Sequence, residues 1–233
     1  MAIEPELSIV LPAYREAENL AEILPRLQAV LPGLGFPCEI MVVDTMAPTD
    51  DTPAVCAAGG ARYVNRRNSD LYGDAVRTAI AEARGRYVLF MDADGSHPPE
   101  FVAKMAAERE NCDVVAASRY VDGGGTDNPR VLILMSRVLN LIYSVVLNIK
   151  CADISNSFKL YRRERLASLR LYCRNFDVIE EILFKMVKAR PDTRIKEIPF
   201  TFERRKFGVT KRNLPAFMLS FAVTLVKLRF DIR

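Results

Sequence analysis

Five short runs, most of them rich in apolar residues, alternate with segments of helical periodicity over the first 118 residues, and this alternation restricts the fold more than any other feature. Leu7–Leu11, Ile40–Val43, Arg62–Asn65, Tyr87–Met91 and Asp113–Ser118 read as strands. Between them, Glu18–Leu31 places Leu20, Ile23, Leu24, Leu27 and Leu31 at helical spacing. Thr52–Ala58 reads as a short helix, Tyr72–Arg84 stops at Gly85, and Pro98–Glu108 opens on a proline suited to a first helical turn. The pattern predicts an α/β fold with a mostly parallel sheet covered by helices on both faces. Such sheets bind ligands at the carboxyl ends of their strands, where Tyr14, Glu16, Asp44, Asp92, Asp94 and Arg119 fall.

The chain of 233 residues is half hydrophobic and 27% charged, enough apolar surface for one large core. A net charge of +4 excludes a polybasic nucleic-acid binder. Five cysteines without a CxxC pair, beside a single histidine, argue against a zinc site and suit a reducing compartment. Met1–Glu6 is acidic where a secretory signal would be basic, and no run of about 20 uninterrupted apolar residues occurs, so neither a leader nor a spanning helix is expected.

The second half changes character. Val131–Ile149 is a long apolar segment whose polar residues Ser136, Arg137, Asn140, Ser144 and Asn148 fall mostly four apart, a narrow stripe on a helix. Leu214–Phe230 repeats the design with Ser220, Thr224 and Lys227, preceded by Lys211 and Arg212. From Lys196 onward there are nine Lys/Arg against three Asp/Glu. Apolar helices beside basic residues point to an anionic membrane surface rather than to nucleic acid; packing into the core or a dimer interface is the alternative.

The stretch Met91–Glu100 carries the most chemistry. Asp92 and Asp94 lie two apart at a strand end beside Gly95, and a divalent oxygen-seeking cation would relieve their repulsion. Mg²⁺ needs only one or two carboxylates when phosphates supply other ligands. Pro12–Asn19 follows the first strand with an aromatic ring and carboxylates able to hold a nucleoside, and Asp44 closes the second strand in the same manner. Gly123-Gly124-Gly125 lacks the spacing of a dinucleotide or P-loop motif and reads as a flexible loop.

Together these stretches resemble family 2 glycosyltransferases of the GT-A fold, and within them the dolichol-phosphate mannosyltransferase-like, polyprenyl-phosphate branch. Leu7–Asn19, Met91–Glu100, Ala117–Tyr120 with the following glycines, Asp153–Arg163 and Arg205–Lys211 match five ordered motifs of that family. The resemblance implies a Rossmann-like GT-A domain over 1–233. Its nucleotide-sugar half would be 1–125, its acceptor half 126–210 with an interface helix over 131–149, and a C-terminal amphipathic helix would occupy 211–233. It implies that Pro12, Tyr14, Glu16 and Asp44 contact the base and ribose of a GDP- or UDP-linked sugar. Asp92 and Asp94, with Ser96 as a further candidate, would hold Mg²⁺ or Mn²⁺ and the diphosphate. Arg119, Arg205 and Lys211 would hold the acceptor phosphate and donor diphosphate, with Arg137 and Lys159 as weaker candidates.

The implied reaction moves a sugar, with inversion, to a polyprenyl phosphate such as dolichyl or undecaprenyl phosphate, by a peripheral protein on the cytoplasmic face of a membrane. A phosphate acceptor is already ionised and needs no strong base. A saccharide acceptor would need a carboxylate base, for which Asp127, Asp153 or Glu181 is available. A sugar nucleotidyltransferase is the alternative from another class, but Pro12–Asn19 lacks the Gly-rich basic loop it would need. The sequence leaves the oligomeric state open.

Overall fold

The computed structural model describes residues 4–203, 214–230 and 232. The strands are β1 (Leu7–Pro12), β2 (Cys38–Asp44), β3 (Arg62–Asn65), β4 (Tyr87–Phe90), β5 (Val114–Ser118), β6 (Gly125–Thr126), β7 (Lys159–Arg162), β8 (Ile195–Pro199) and β9 (Thr201–Phe202). The helices are α1 (Ala17–Val30), α2 (Thr52–Ala58), α3 (Tyr72–Glu82), α4 (Phe101–Ala107), α5 (Arg130–Leu147), α6 (Arg163–Ala167), α7 (Val178–Ala189) and α8 (Leu214–Phe230). Seven strands form one sheet in the order β3-β2-β1-β4-β7-β5-β8. All pairs are parallel except those of β7, which runs antiparallel to both β4 and β5.

Strand residues alternate between two cores. Leu7, Ile9 and Leu11 face α1 and α4, packing with Leu20, Leu24, Val102 and Met105. Val10, Val88 and Val114 face the opposite layer with Val76, Ile182 and Leu183. The period of two in each strand sends successive side chains to opposite faces, and both faces are covered, so the central strands are apolar throughout.

The inserted strand β7 shapes the active face. Because it is reversed, its first residue lies at the carboxyl ends of its neighbours: Lys159 pairs with both Phe90 and Ala116. The segment before it, residues 153–158, is thereby carried between the ends of β4 and β5.

The glycine run is ordered, not the loop expected. Gly125–Thr126 pairs with Thr201–Phe202 as a two-stranded sheet. A Cβ at Gly124 would stand 2.5 Å from the Ser118 carbonyl, so only glycine allows this approach.

Helix α5 is turned inside out relative to a core helix. Its polar stripe faces the protein: Asn140 is 2% exposed, donates to the Ser136 carbonyl (2.9 Å) and Ser155 Oγ (3.1 Å), and accepts from Ser155 N–H (2.9 Å). Val131, Leu134, Leu141 and Val145, between 64% and 71% exposed, point away. Helix α8 docks beside it, with Tyr143 Oη donating to the Phe221 carbonyl (2.7 Å) and Thr224 Oγ1 to Asp177 Oδ2 (2.6 Å). Val223, Val226 and Phe230 face outward while Phe221, Thr224 and Leu228 are buried. Contrary to expectation, α5 is long and apolar enough to cross a membrane, although Asn140, Tyr143 and Leu147 bind it to the domain.

Candidate active site

A cavity of about 930 Å³ opens at the carboxyl ends of β1, β4 and β5. Pro12, Tyr14, Glu16, Asp92, Asp94, Ser96 and Arg119 line it, so seven of the residues singled out in the sequence meet in one space. Arg205 and Lys211 lie outside the described residues.

Near β1, the turn after Pro12 is held by the Ala13 N–H, which donates to the Val43 carbonyl (2.9 Å). Tyr14 is exposed at the rim with the Arg15 guanidinium 5.6 Å from its ring centre. Arg15 has φ 56°, a left-handed backbone costly for a long L side chain. Glu16 is buried and accepts from Asn19 Nδ2 (2.6 Å).

Asp44, expected at the base and ribose, is placed apart from the other candidates: it does not line the cavity. It is fully buried behind the wall, where its Oδ2 accepts from Tyr63 Oη (3.1 Å). Burial raises its pKa above the ordinary carboxylate value, partly offset by hydrogen bonds from the Thr45 backbone and Tyr63. Arg66, which the sequence reading passed over, takes the place on the wall. This buried arginine donates from Nη2 to the Ala13 carbonyl (2.5 Å) and from Nη1 to the Asp70 carbonyl, bridging the two loops around the pocket. Its signal in sequence was only its place after β3, a strand too weakly apolar to draw attention.

At the end of β4, Asp92 and Asp94 are half-buried. Gly95 takes φ 81°, which turns the chain so that Ser96 donates to Asp94 Oδ1 from both its N–H (3.1 Å) and its Oγ (2.5 Å). Ser96 is fully buried and spends its hydroxyl proton on Asp94, so it orients that carboxylate. The donors facing the cavity here are oxygens, which suits Mg²⁺ or Mn²⁺ rather than a thiophilic metal. His97 is wholly buried and stacks on Phe158 at 4.5 Å. Burial lowers its pKa, so the ring is neutral. Its Nδ1 accepts from the Asp92 N–H (2.9 Å), which leaves the ring proton on Nε2.

Beyond β5, Arg119 faces the cavity but is held from behind. Its Nε and Nη2 donate to Asp153 Oδ2 (2.8 Å) and Oδ1 (2.7 Å), and Nη2 also reaches Ser155 Oγ (3.2 Å). Burial works against its charge, yet Asp153 more than offsets this and raises the pKa above the usual arginine value. Tyr120 draws in both Arg119 (5.0 Å) and Arg137 of α5 (5.3 Å), though Arg137 does not line the cavity.

Lys159 is a core residue, against expectation. It is fully buried and donates to the carbonyls of Ile154 (3.0 Å) and Asn156, out of reach of any anion in the cavity. The carboxylates considered as bases are also placed elsewhere. Asp153 is engaged by Arg119. Glu181 is buried and accepts from the Tyr172 and Cys173 N–H groups (2.8 Å each) and from Lys185 (2.6 Å). Asp127 is exposed outside the cavity wall.

Comparison with known proteins agrees with this geometry. The glycosyl transferase family 2 profile matches residues 8–170. The chain is 31% identical over 214 residues to a dolichol-phosphate mannosyltransferase of Pyrococcus furiosus, covering 88% of this chain and 59% of that protein. It is 29% identical to a dolichol-phosphate mannosyltransferase of Saccharomyces cerevisiae and 30% identical to a polyprenol monophosphomannose synthase of Mycolicibacterium smegmatis, covering 88% and 87% of this chain and 80% and 79% of theirs. Among solved structures, a glucosyl-3-phosphoglycerate synthase from Mycobacterium tuberculosis, crystallised with Mn²⁺, UDP and glucosyl-3-phosphoglycerate, superposes with a TM-score of 0.73. The identity is 22%, with 98% of this chain and 81% of that chain covered, a likeness of fold. A sheet with a paired-aspartate turn at its center, the profile match over most of the chain and the curated relatives together place this protein in glycosyl transferase family 2, as a glycosyltransferase of the GT-A fold.

Proposed function

We propose that the protein transfers a sugar from a GDP- or UDP-linked donor to a polyprenyl phosphate, with inversion at the anomeric carbon, while seated on the cytoplasmic face of a membrane. The observation that carries this reading is the pairing of one cavity with one surface. The cavity is lined by Asp92, Asp94 and Arg119, and its wall continues onto α5 through Leu132, Met135 and Leu139. From there α5 presents its apolar face outward.

Pro12, Tyr14, Glu16 and Arg66 form the wall that would receive the nucleoside. Asp92 and Asp94 would hold a divalent cation, which when bound neutralises charge on the departing diphosphate. Arg119 supplies fixed positive charge for a second anion, because Asp153 locks its orientation without closing the cavity. An acceptor phosphate oxygen would form the new bond to the anomeric carbon as the bond from that carbon to the diphosphate breaks. None of the three carboxylates considered as bases is available in the cavity. That favours an acceptor that arrives ionised and leaves the protein a positioning and electrostatic task. The donor half would be 1–125 and the acceptor half 126–210. Five unpaired cysteines fit a reducing, cytoplasmic setting.

The test is a thermal-shift screen of nucleotide sugars with Mg²⁺ or Mn²⁺, followed by a transfer assay with short polyprenyl phosphates. Metal-dependent stabilisation by one donor and formation of a polyprenyl-linked sugar is the expected result. Transfer to a soluble saccharide or phosphorylated acceptor in preference to the polyprenyl phosphate would overturn the reading.

A further inference from the structure

Asp92 is held by a partner from another strand. Ser157 Oγ donates to Asp92 Oδ1 at 2.8 Å, and Ser157 is buried. The contact follows from topology. Phe90 pairs with Lys159 in the antiparallel β4–β7 ladder, so two residues further on the same register sets Asp92 opposite Ser157. The backbone around Ser157 is fixed by other bonds: Asn156 Nδ2 donates to the Ala117 carbonyl (2.8 Å), and Lys159 Nζ holds the carbonyls of Ile154 and Asn156. The segment therefore keeps its place without the Ser157 hydroxyl.

The other oxygen of Asp92 is left without such a bond among the described residues. His97 Nε2 stands 4.0 Å from Asp92 Oδ2, too far for a hydrogen bond. Among the described residues, Oδ1 thus carries the Ser157 proton and Oδ2 carries no hydrogen bond. A free aspartate rotates about χ2 and can offer either oxygen or both; this one is set in one orientation.

We propose that Ser157 is a positioning residue for Asp92: by taking Oδ1, its hydroxyl presents Oδ2 as the oxygen offered to the cation of a nucleoside diphosphate. This rests on the reading of Asp92 and Asp94 as the cation-holding pair. Partners that orient a ligating carboxylate are typically worth 10–100-fold in metal affinity. Ser96 does the same for Asp94 from within the turn, so each carboxylate has its own hydroxyl.

The experiment measures Mn²⁺ binding by electron paramagnetic resonance in the presence of UDP and, separately, GDP. The wild type is compared with Asp92→Asn, Ser157→Ala, Ser157→Thr and Ser157→Cys. Ser157→Ala is expected to weaken Mn²⁺ binding about 10–100-fold with little change in thermal midpoint, and Ser157→Thr to restore it. Ser157→Cys keeps the volume with a poor donor and should resemble Ser157→Ala, which covers the case in which the alanine variant folds badly. In the transfer assay, excess Mn²⁺ should recover kcat in Ser157→Ala but not in Asp92→Asn. Equal Mn²⁺ binding by wild type and Asp92→Asn would overturn the metal reading and this inference with it. A loss in Asp92→Asn with wild-type binding in both Ser157→Ala and Ser157→Cys would overturn the inference alone.

Discussion

Four residues show how local chemistry separates site from scaffold. Asp92 and Asp94 are half-buried at a strand end and take no part in the core. Asp92→Asn or Asp94→Asn should abolish transfer while the far-UV spectrum and thermal midpoint stay near wild type, and excess EDTA should silence the wild type. Undiminished turnover in EDTA would remove the cation from the reaction. Asp44 behaves differently. Its pKa is raised in the folded state, chiefly by burial, so folding favours its protonated form. Its stabilising contribution is full below the ordinary carboxylate pKa of about 3.9 and is lost as pH rises through the higher folded value. Asp44→Asn should therefore melt above wild type at pH 7, and the gap should close toward pH 4. A lower midpoint for Asp44→Asn at both pH values would show that its negative charge is structural. Arg15 sits in the left-handed region at φ 56°, where asparagine or glycine is far better tolerated. Arg15→Gly should stabilise the fold by about 1 kcal/mol, read from denaturant midpoints.

Among the elements, β7 and α5 decide the most. β7 interrupts a parallel sheet and brings residues 153–158 between two strand ends, where Asp153 meets Arg119 and Ser157 meets Asp92. Asn140 on α5 reaches the same segment through Ser155, so the helix and the site share one hydrogen-bonded connection. Asn140→Ala would strand the Ser155 N–H and should cost about 1–3 kcal/mol. It should also raise proteolytic sensitivity near α5, measured by limited digestion. Unchanged stability would mean that α5 is held by its contacts with α8 alone. The strand–helix alternation of the first half was legible because its periods are unmistakable. β7 was not, since Lys159–Arg162 is only four residues long and has a charged residue at each end, so it shows neither an apolar run nor a clear period. α7 escaped because its buried Glu180 and Glu181 break the usual correspondence between charge and exposure.

The whole molecule places a polar cavity beside an apolar outer face. That face comprises α5 residues such as Val131, Leu134, Leu141 and Val145, with Val223, Val226 and Phe230 of α8 adjoining. Faces of this kind mark contact with a partner or a membrane. Basic residues at its margin, Arg130, Arg137, Lys227 and Arg229, would add about 1 kcal/mol each near an anionic surface. The protein should float with anionic vesicles at low salt and less so at high salt. Leu141→Asp with Val145→Asp should reduce flotation further. Phe221 is unsuited to this test because it packs inward against Tyr143. A protein that stays at the bottom of the gradient at low salt, and elutes as a dimer that the same double variant splits, would assign the face to self-association instead.

The sequence by itself determined the class of fold and the end of the sheet where chemistry gathers. Strand and helix periods are local, and a carboxylate or arginine directly after a run read as a strand falls at that strand's end. It also marked Asp92 and Asp94, because two acids two residues apart beside a glycine need a reason close at hand. Only the tertiary structure decided which of the polar residues face the cavity. Asp44 and Lys159 carry the same chemistry as Glu16 and Arg119, yet the first pair is fully buried outside the cavity lining and the second lines the opening. Arg66 and Ser157 gained their places through pairings between distant segments, which no local pattern encodes. The polar stripe of α5 was readable as a stripe, but its inward orientation depends on the Ser155 backbone it meets, fifteen residues further along the chain.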